Sequence, residues 1–219
     1  VTIDDVVVNE SDNATVTLRL NKAVGAGFTI NLTTSDGTAT TTGSDYTSTN
    51  TPVTFIGTGD NQAQSVTVPI NDDSVVEDNE TFTVQLTNLI GVSASLVDTS
   101  DNATVTITND DNATVTISDN TTLEDSDNAT VTLSVDNPVQ GGFWVTVIRD
   151  NGTANTLDLD FTGGTDNVSF AGIASETQTI SIPLGSDLKV EDNETLTLRL
   201  DSVSRSEITI TDNATVTIT

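Results

Sequence analysis

Apolar and polar residues alternate along most of this chain. Over Asn13–Leu20, Val16, Leu18 and Leu20 fall on one parity, while Asn13, Thr15, Thr17 and Arg19 fall on the other. A period of two sends successive side chains to opposite faces of a strand, so such a run predicts one buried face and one wet face. The same alternation recurs at Phe28/Ile30/Leu32, Val66/Val68/Ile70 and Phe82/Val84/Leu86. Clusters of Gly, Asp and Asn punctuate these runs, and no segment holds a 3.6-residue period over two turns. The pattern predicts an all-β chain.

The pattern also repeats on a longer scale. DGTATTTGSDYT at 36–47 aligns without gaps to NGTANTLDLDFT at 151–162, and VPINDDSVVEDNETF at 68–82 to IPLGSDLKVEDNETL at 182–196. DNATVTIT at 101–108 returns at 212–219. Two units follow, at 1–109 and 110–219, each of the size of an immunoglobulin-like antiparallel β-sandwich of about 100 residues. Between the last strand of the first and the first strand of the second stand only Asn109-Asp110-Asp111-Asn112, with no Gly/Ser-rich or Pro-rich linker. Such a joint is stiff if something holds its carboxylates together.

Composition narrows the options. Hydrophobic residues make up 34% and aromatics 4%, and the net charge is −27. That balance is compatible with disorder, but disorder does not predict sustained alternation. With 33 Asp and Glu against 6 Lys and Arg, the surface repels phosphate backbones and anionic lipid and attracts cations. Nucleic acid is therefore not expected as a partner. No apolar run approaches the roughly 18 residues of a membrane-spanning helix, so direct membrane insertion is not expected either. No signal peptide is visible, and the sequence reads as a mature fragment or an internal piece of a longer chain. There is no Cys, so disulfides cannot staple the fold and a metal becomes the more attractive staple.

The segments GTATTTGSDYT, VTVPINDDSVVEDNETFTVQL and VTITNDD, in that order and spacing, resemble the Calx-beta family. The second unit keeps GTAN, Asp160-Phe161, IPL and VEDNETLTL. The resemblance implies two tandem seven-stranded sandwiches with Ca²⁺ held by loops at the end where each chain segment leaves. Carried over residue by residue, it implies Glu10, Asp45, Asp72, Asp73, Glu77, Asp110 and Asp111 as ligands in the first unit. In the second it implies Glu124, Asp160, Asp187 and Glu191. There Ser186 replaces Asp72, Gly185 replaces Asn71, and no acidic pair follows Thr219. The chemistry agrees with the family: Ca²⁺ takes six to eight hard oxygen ligands, and carboxylate sites without His or Cys disfavour zinc or copper. Each Asp pair taken alone is equally at home as a turn-forming Asx motif.

Asn-x-Ser/Thr sequons are frequent, chiefly because Asp-Asn-Ala-Thr-Val-Thr occurs five times. Asn13, Asn79, Asn102, Asn112, Asn128, Asn193 and Asn213 are candidate glycan acceptors. A duplicated polar strand sequence that blunts sheet edges accounts for them equally well. Trp144 falls out of register with Phe143, Val145 and Val147 and is expected on the outer face. Without His, Cys, a phosphate-binding Gly loop or a nucleophile elbow, no catalytic centre is expected. The leading expectation is a calcium-binding structural or adhesive repeat at the cell surface or outside the cell, a glycoprotein whose copies join head to tail, as a filament or in a longer repeat chain. A regulatory calcium-sensor tandem and a carbohydrate-binding accessory module of a secreted enzyme are the alternatives.

Overall fold

The computed structural model describes residues 1–186 and 191–219. It divides into two compact units, the first comprising Val1–Asp73 and Asp78–Asp110, the second Ser74–Glu77 and Asp111–Thr219. Among the described residues all regular structure is strand, and no helix is long and apolar enough to cross a membrane.

The first unit holds β1 (Thr2–Ile3), β2 (Val6–Asn9), β3 (Ala14–Leu20), β4 (Phe28–Ser35), β5 (Asn50–Phe55), β6 (Gln62–Val68), β7 (Glu80–Ile90) and β8 (Asn102–Thr108). They form a three-stranded sheet, β1-β3-β6, and a five-stranded sheet, β2-β8-β7-β4-β5. Every pairing is antiparallel except β2 with β8. The inward parity of both sheets meets in one core: Val16 and Leu18 on β3, Ile30 and Leu32 on β4, and Val84 on β7 are fully buried. Two stacked ring pairs close that core, Phe28 on Phe55 at 5.2 Å and Tyr46 on Phe82 at 4.1 Å.

The second unit holds β9 (Ala113–Ile117), β10 (Asn120–Thr122), β11 (Asn128–Val135), β12 (Phe143–Asn151), β13 (Gly164–Phe170), β14 (Thr177–Pro183), β15 (Glu194–Val203), β16 (Ile208–Ile210) and β17 (Asn213–Ile218). The sheets run β14-β11-β9-β16 and β10-β17-β15-β12-β13. Here β10 runs parallel to β17 and β16 parallel to β9. This is the same immunoglobulin-like sandwich, with one added edge strand.

Seven strands per unit were the expectation, and the structure has more because the first strand changes sheet and, in the second unit, β16 is added at an edge. β1 pairs with β3 while β2 pairs with β8, and β9 and β10 divide in the same way. An aspartate pins each crossing. Asp5 Oδ1 accepts the Thr104 N–H at 2.7 Å, and Asp119 Oδ1 accepts the Thr215 N–H at 2.7 Å. A backbone N–H that would otherwise face the gap between strands gains a charged acceptor. The crossing sets the site, because it leaves β2 and β10 running beside the last strand of their units, with a glutamate at the end of each.

Candidate metal centre

Three local devices bring carboxylates to one end of each sandwich. The first is the parallel ladder of β2 on β8, extended by a hydrogen bond from the Glu10 N–H to the Thr108 carbonyl at 3.1 Å. Glu10 continues the parity of Val6 and Val8 and points inward, with 4% of its surface exposed. Its Oε1 accepts the Asp110 N–H at 3.0 Å. β10 on β17 repeats the device, the Glu124 N–H donating to the Thr219 carbonyl at 3.1 Å.

The second device is a loop that folds an aspartate back on itself. The Thr40 N–H donates to Asp45 Oδ2 at 2.6 Å while the Asp45 N–H donates to the Thr40 carbonyl at 3.2 Å. Asp160 and Asn155 make the same reciprocal pair, at 2.8 and 3.2 Å. One oxygen of each aspartate is thereby held by its own loop. Beside Asp45, the buried Tyr46 donates its hydroxyl to Asp36 at 2.7 Å, and burial together with that carboxylate pushes its pKa up to about 12.

The third device is a glutamate at the start of a core strand. Glu80 shares parity with Phe82 and Val84 on β7, and Glu194 with Leu196 and Leu198 on β15. Both therefore point toward the core side of the sheet, where a carboxylate needs compensation. In the second unit Asp160, Glu191 and Glu194 bring carboxylate oxygens within 4.8 Å of one another. They surround a cavity of about 30 Å³ that Glu124, Gly185 and Thr219 also line. Burial, followed by the charges of Asp160, Glu191 and Asp158, raises the pKa of Glu194. A group of three carboxylates around so small a space repels itself unless a proton or a cation enters it. The all-oxygen donor set and the size of the cavity suit a single hard cation.

In the first unit Asp45 and Glu80 bring oxygens within 4.8 Å of each other, and Glu10 and Asp110 do the same. Glu77 and Asp111 belong to segments that pack with the second unit. Among the described residues Asp72 and Asp73, both exposed, join no group of three carboxylates. Glu124 lines the small cavity and Glu191 joins the trio, whereas Asp187 lies outside the described residues. Glu80 and Glu194 are the members that the sequence reading missed. Their signal was available, since each stands on the core parity of its strand.

Many of the remaining acids do other work. Asp101 Oδ2 accepts the Ile3 N–H at 2.9 Å, and Asp136 Oδ1 accepts the Thr114 N–H at 2.7 Å. Glu176 accepts the N–H groups of Ala171 and Gly172, each at 2.9 Å. These are turn and strand staples. Trp144 lies 43% exposed on β12, its main chain tied to Ser204.

The Calx-beta domain family matches this chain twice, at residues 2–111 and 108–219. The chain belongs to the Calx-beta family. Among solved structures it is similar to the calcium binding domain CBD12 of CALX1.1, with 17% identity, a TM-score of 0.43, and 99% of each chain covered. It is also similar to the apo form of the Calx CBD1 domain, with 26% identity, a TM-score of 0.42, 51% of this chain and 100% of that one. No curated protein matches the chain. Tandem Calx-beta sandwiches with acidic clusters able to hold a metal are thus the common ground of fold and family.

Proposed function

We propose that this chain is a non-catalytic structural or adhesive repeat of an extracellular or cell-surface protein, in which Ca²⁺ bound by the end loops stiffens successive sandwiches. The observation that carries the reading is the inward-facing Glu194 with Asp160 and Glu191 around a cavity of about 30 Å³. A flexible oxygen-rich site built from several loops is what Ca²⁺ accepts, and Mg²⁺ is more demanding in geometry. In the first repeat the proposed ligand set is the one its sequence implies, extended by Glu80. The connection between Thr108 and Ala113 is only four residues long and neither Gly/Ser-rich nor Pro-rich, which supports a joint-stiffening role over a signalling one. Copies are proposed to follow one another head to tail, within a longer chain or by association. Neither nucleic acid nor a bilayer is proposed as a partner.

Glycan decoration belongs to the same reading. Asn13, Asn79, Asn102, Asn112, Asn128, Asn193 and Asn213 are all exposed, so sugars at these positions would leave both cores undisturbed. The intact mass of protein from its native source tests this, and the bare peptide mass would remove the sugars from the proposal.

Calcium titration followed by thermal melting tests the central claim. Stabilisation at millimolar Ca²⁺ that is reversed by a chelator is the expected result. Melting curves indifferent to calcium would refute it, and submicromolar affinity with a large change of shape would favour a sensor.

A further inference from the structure

We infer that Trp144 and the groove beside it on the second unit bind a neutral glycan. The inference rests on the adhesive reading above and names the class of ligand and the surface that meets it. Trp144 is the single tryptophan of the chain and is 43% exposed. It stands on the outer parity of β12, between the core residues Phe143 and Val145. The main chain around it is fixed on both sides. Trp144 pairs with Ser169 on β13, while on the other side its N–H donates to Ser204 Oγ and its carbonyl accepts the Ser204 N–H, each at 3.0 Å. The ring is therefore presented from a rigid ladder, which lowers the entropy lost when a ligand settles on it. Among the described residues its indole N–H has no hydrogen-bond partner.

What surrounds the ring is polar and uncharged. Thr146 follows on the same parity, Ser169 stands opposite, and Asn167 and Ser202 flank Thr146 on β13 and β15. Thr146 donates its hydroxyl to Asn167 Oδ1 at 3.0 Å, which leaves the Asn167 amide N–H groups without a partner among the described residues. Beside them runs a groove of about 420 Å³ between β13 and β14, lined among others by Asn167, Ser169, Gln178, Thr179 and Ser181. Asp166 also lines it, with its two oxygens bonded by Arg149 at 2.8 and 2.9 Å. Every residue of this surface is described and belongs to the body of the second unit. The first unit shows the same sandwich without these features. NTPVTF at 50–55 aligns with TDNVSF at 165–170, and Thr29 stands where Trp144 does. Thr29 shares a hydroxyl hydrogen bond with Thr54 at 3.2 Å, and Pro52, which has no N–H, takes the place of Asn167. The indole and the amide donor are additions to one unit, and the fold does not require them.

The ligand class follows from that combination. A pyranose offers a flat face of C–H groups rimmed by hydroxyls. The face of the indole carries the negative lobe of an aromatic quadrupole and suits those polarised C–H groups. Hydroxyls and amides both donate and accept, so Ser169, Asn167, Gln178 and Thr179 can bond a rim of hydroxyls in either direction. An aromatic wall with a few placed polar groups is the usual make-up of a small-ligand site. An acidic polysaccharide would be repelled by a chain of net charge −27. A protein partner would want apolar neighbours to complete a dry hot spot around the ring, and Thr146, Ser169 and Ser202 are hydroxyl residues.

The test uses the full chain in calcium, titrated with cellohexaose, mannohexaose and chitohexaose, and with an oligogalacturonate as the acidic control. Because the chain has a single tryptophan, its emission reports on this site directly. The expected result is a saturable change in emission with at least one neutral hexasaccharide and none with the acidic one. Isotope-labelled protein should show matching amide shifts at Trp144, Asn167, Ser169 and Gln178. Asn167→Ala should weaken the response at least tenfold. Trp144→Thr should abolish the amide shifts without lowering the melting temperature, because threonine already holds this place in the first unit. No response to any neutral hexasaccharide at millimolar concentration, or shifts that survive Trp144→Thr, would overturn the inference. So would an emission change that follows protein concentration and not sugar, since the face would then be a contact between copies. A sugar response without calcium stabilisation refutes the stiffening role and leaves the glycan site, whereas calcium stabilisation without a sugar response refutes the glycan site alone.

Discussion

Replacing Glu194 by Gln should change the stability of the second unit in opposite directions with and without calcium. In chelator the wild-type protein holds Asp160, Glu191 and Glu194 with oxygens within 4.8 Å of one another. Two unit charges at that distance repel by about 3.5 kcal/mol at an effective dielectric constant of about 20. Glu191 is exposed, and water there reduces its share to about 1 kcal/mol or less. Removing the Glu194 charge should therefore stabilise the unit by roughly 1–3 kcal/mol, worth several degrees or more in melting temperature for a domain of this size. With calcium at about 1,000 times its dissociation constant, the wild type gains about 4.1 kcal/mol by binding linkage, more than the variant gains without calcium, and the variant forfeits most of it. Calorimetry with and without chelator should show the variant melting above wild type in one condition and below it in the other. The pH dependence carries the same sign. Because the folded pKa of Glu194 is raised above 4.5, the protonated group favours the fold below that value, and this contribution is lost as pH rises through the folded pKa. The advantage of the variant in chelator should therefore vanish below about pH 4.5 and grow toward neutrality. A variant that is destabilised equally in both conditions would refute the reasoning, because it would make Glu194 a hydrogen-bonding residue of the fold and no part of a cation site.

Other substitutions test the scaffold. Glu176→Gln should cost the second unit about 1–2 kcal/mol, since it weakens charge-assisted bonds from the Ala171 and Gly172 N–H groups. Burial opposes ionisation of Glu176, but those donors and Gln178 outweigh it, so its pKa is lowered. Its contribution is present above 4.5 and fades as pH falls through the folded pKa, and the variant's acid unfolding curve should be correspondingly flatter. Arg149→Lys should cost about 2 kcal/mol in denaturant melts, because the guanidinium, with 9% of its side chain exposed, bonds both oxygens of Asp166 and the Thr162 carbonyl through three separate nitrogens, and an ammonium has one. Gly57→Ala should cost more than about 1 kcal/mol, because φ is +67° and a Cβ would sit 1.8 Å from the Ala26 carbonyl oxygen.

How much of this was legible in the sequence depended on how many residues each feature needs. Alternation over seven or eight residues, as in β3 and β4, carries its own proof, because a slip by one would expose every apolar side chain. The split of the first strand was not legible, since it turns on single aspartates such as Asp5 whose partner, Thr104, lies 99 residues away. The packing of Ser74–Glu77 with the second unit was hidden for the same reason. Val76 looks like any loop valine until Pro138 and Gln140 are seen on either side of it. Among the acids, the Asx-turn reading competed with the ligand reading at every pair, and the structure divides them by what each oxygen faces. Asp5, Asp101, Asp119 and Asp136 face backbone N–H groups.

The division yields a rule that parity alone can apply. An aspartate in a turn can satisfy itself with neighbouring N–H groups at no cost to the core, so it says little about a ligand. A glutamate on the core parity of a strand finds fewer such partners, because its neighbours on that face are apolar. Glu194 stands in register with Leu196 and Leu198, and Glu80 with Phe82 and Val84. Glu10 stands in register with Val6 and Val8 and is buried. Such a position suits the end of the sandwich, where a backbone N–H, as Asp110 gives Glu10, a proton or a cation can reach it. The reading of calcium as a structural element follows from these inward glutamates more than from the abundant acids outside. A net charge of −27 would attract cations to any surface, but only a carboxylate committed to the core side makes the fold itself depend on one.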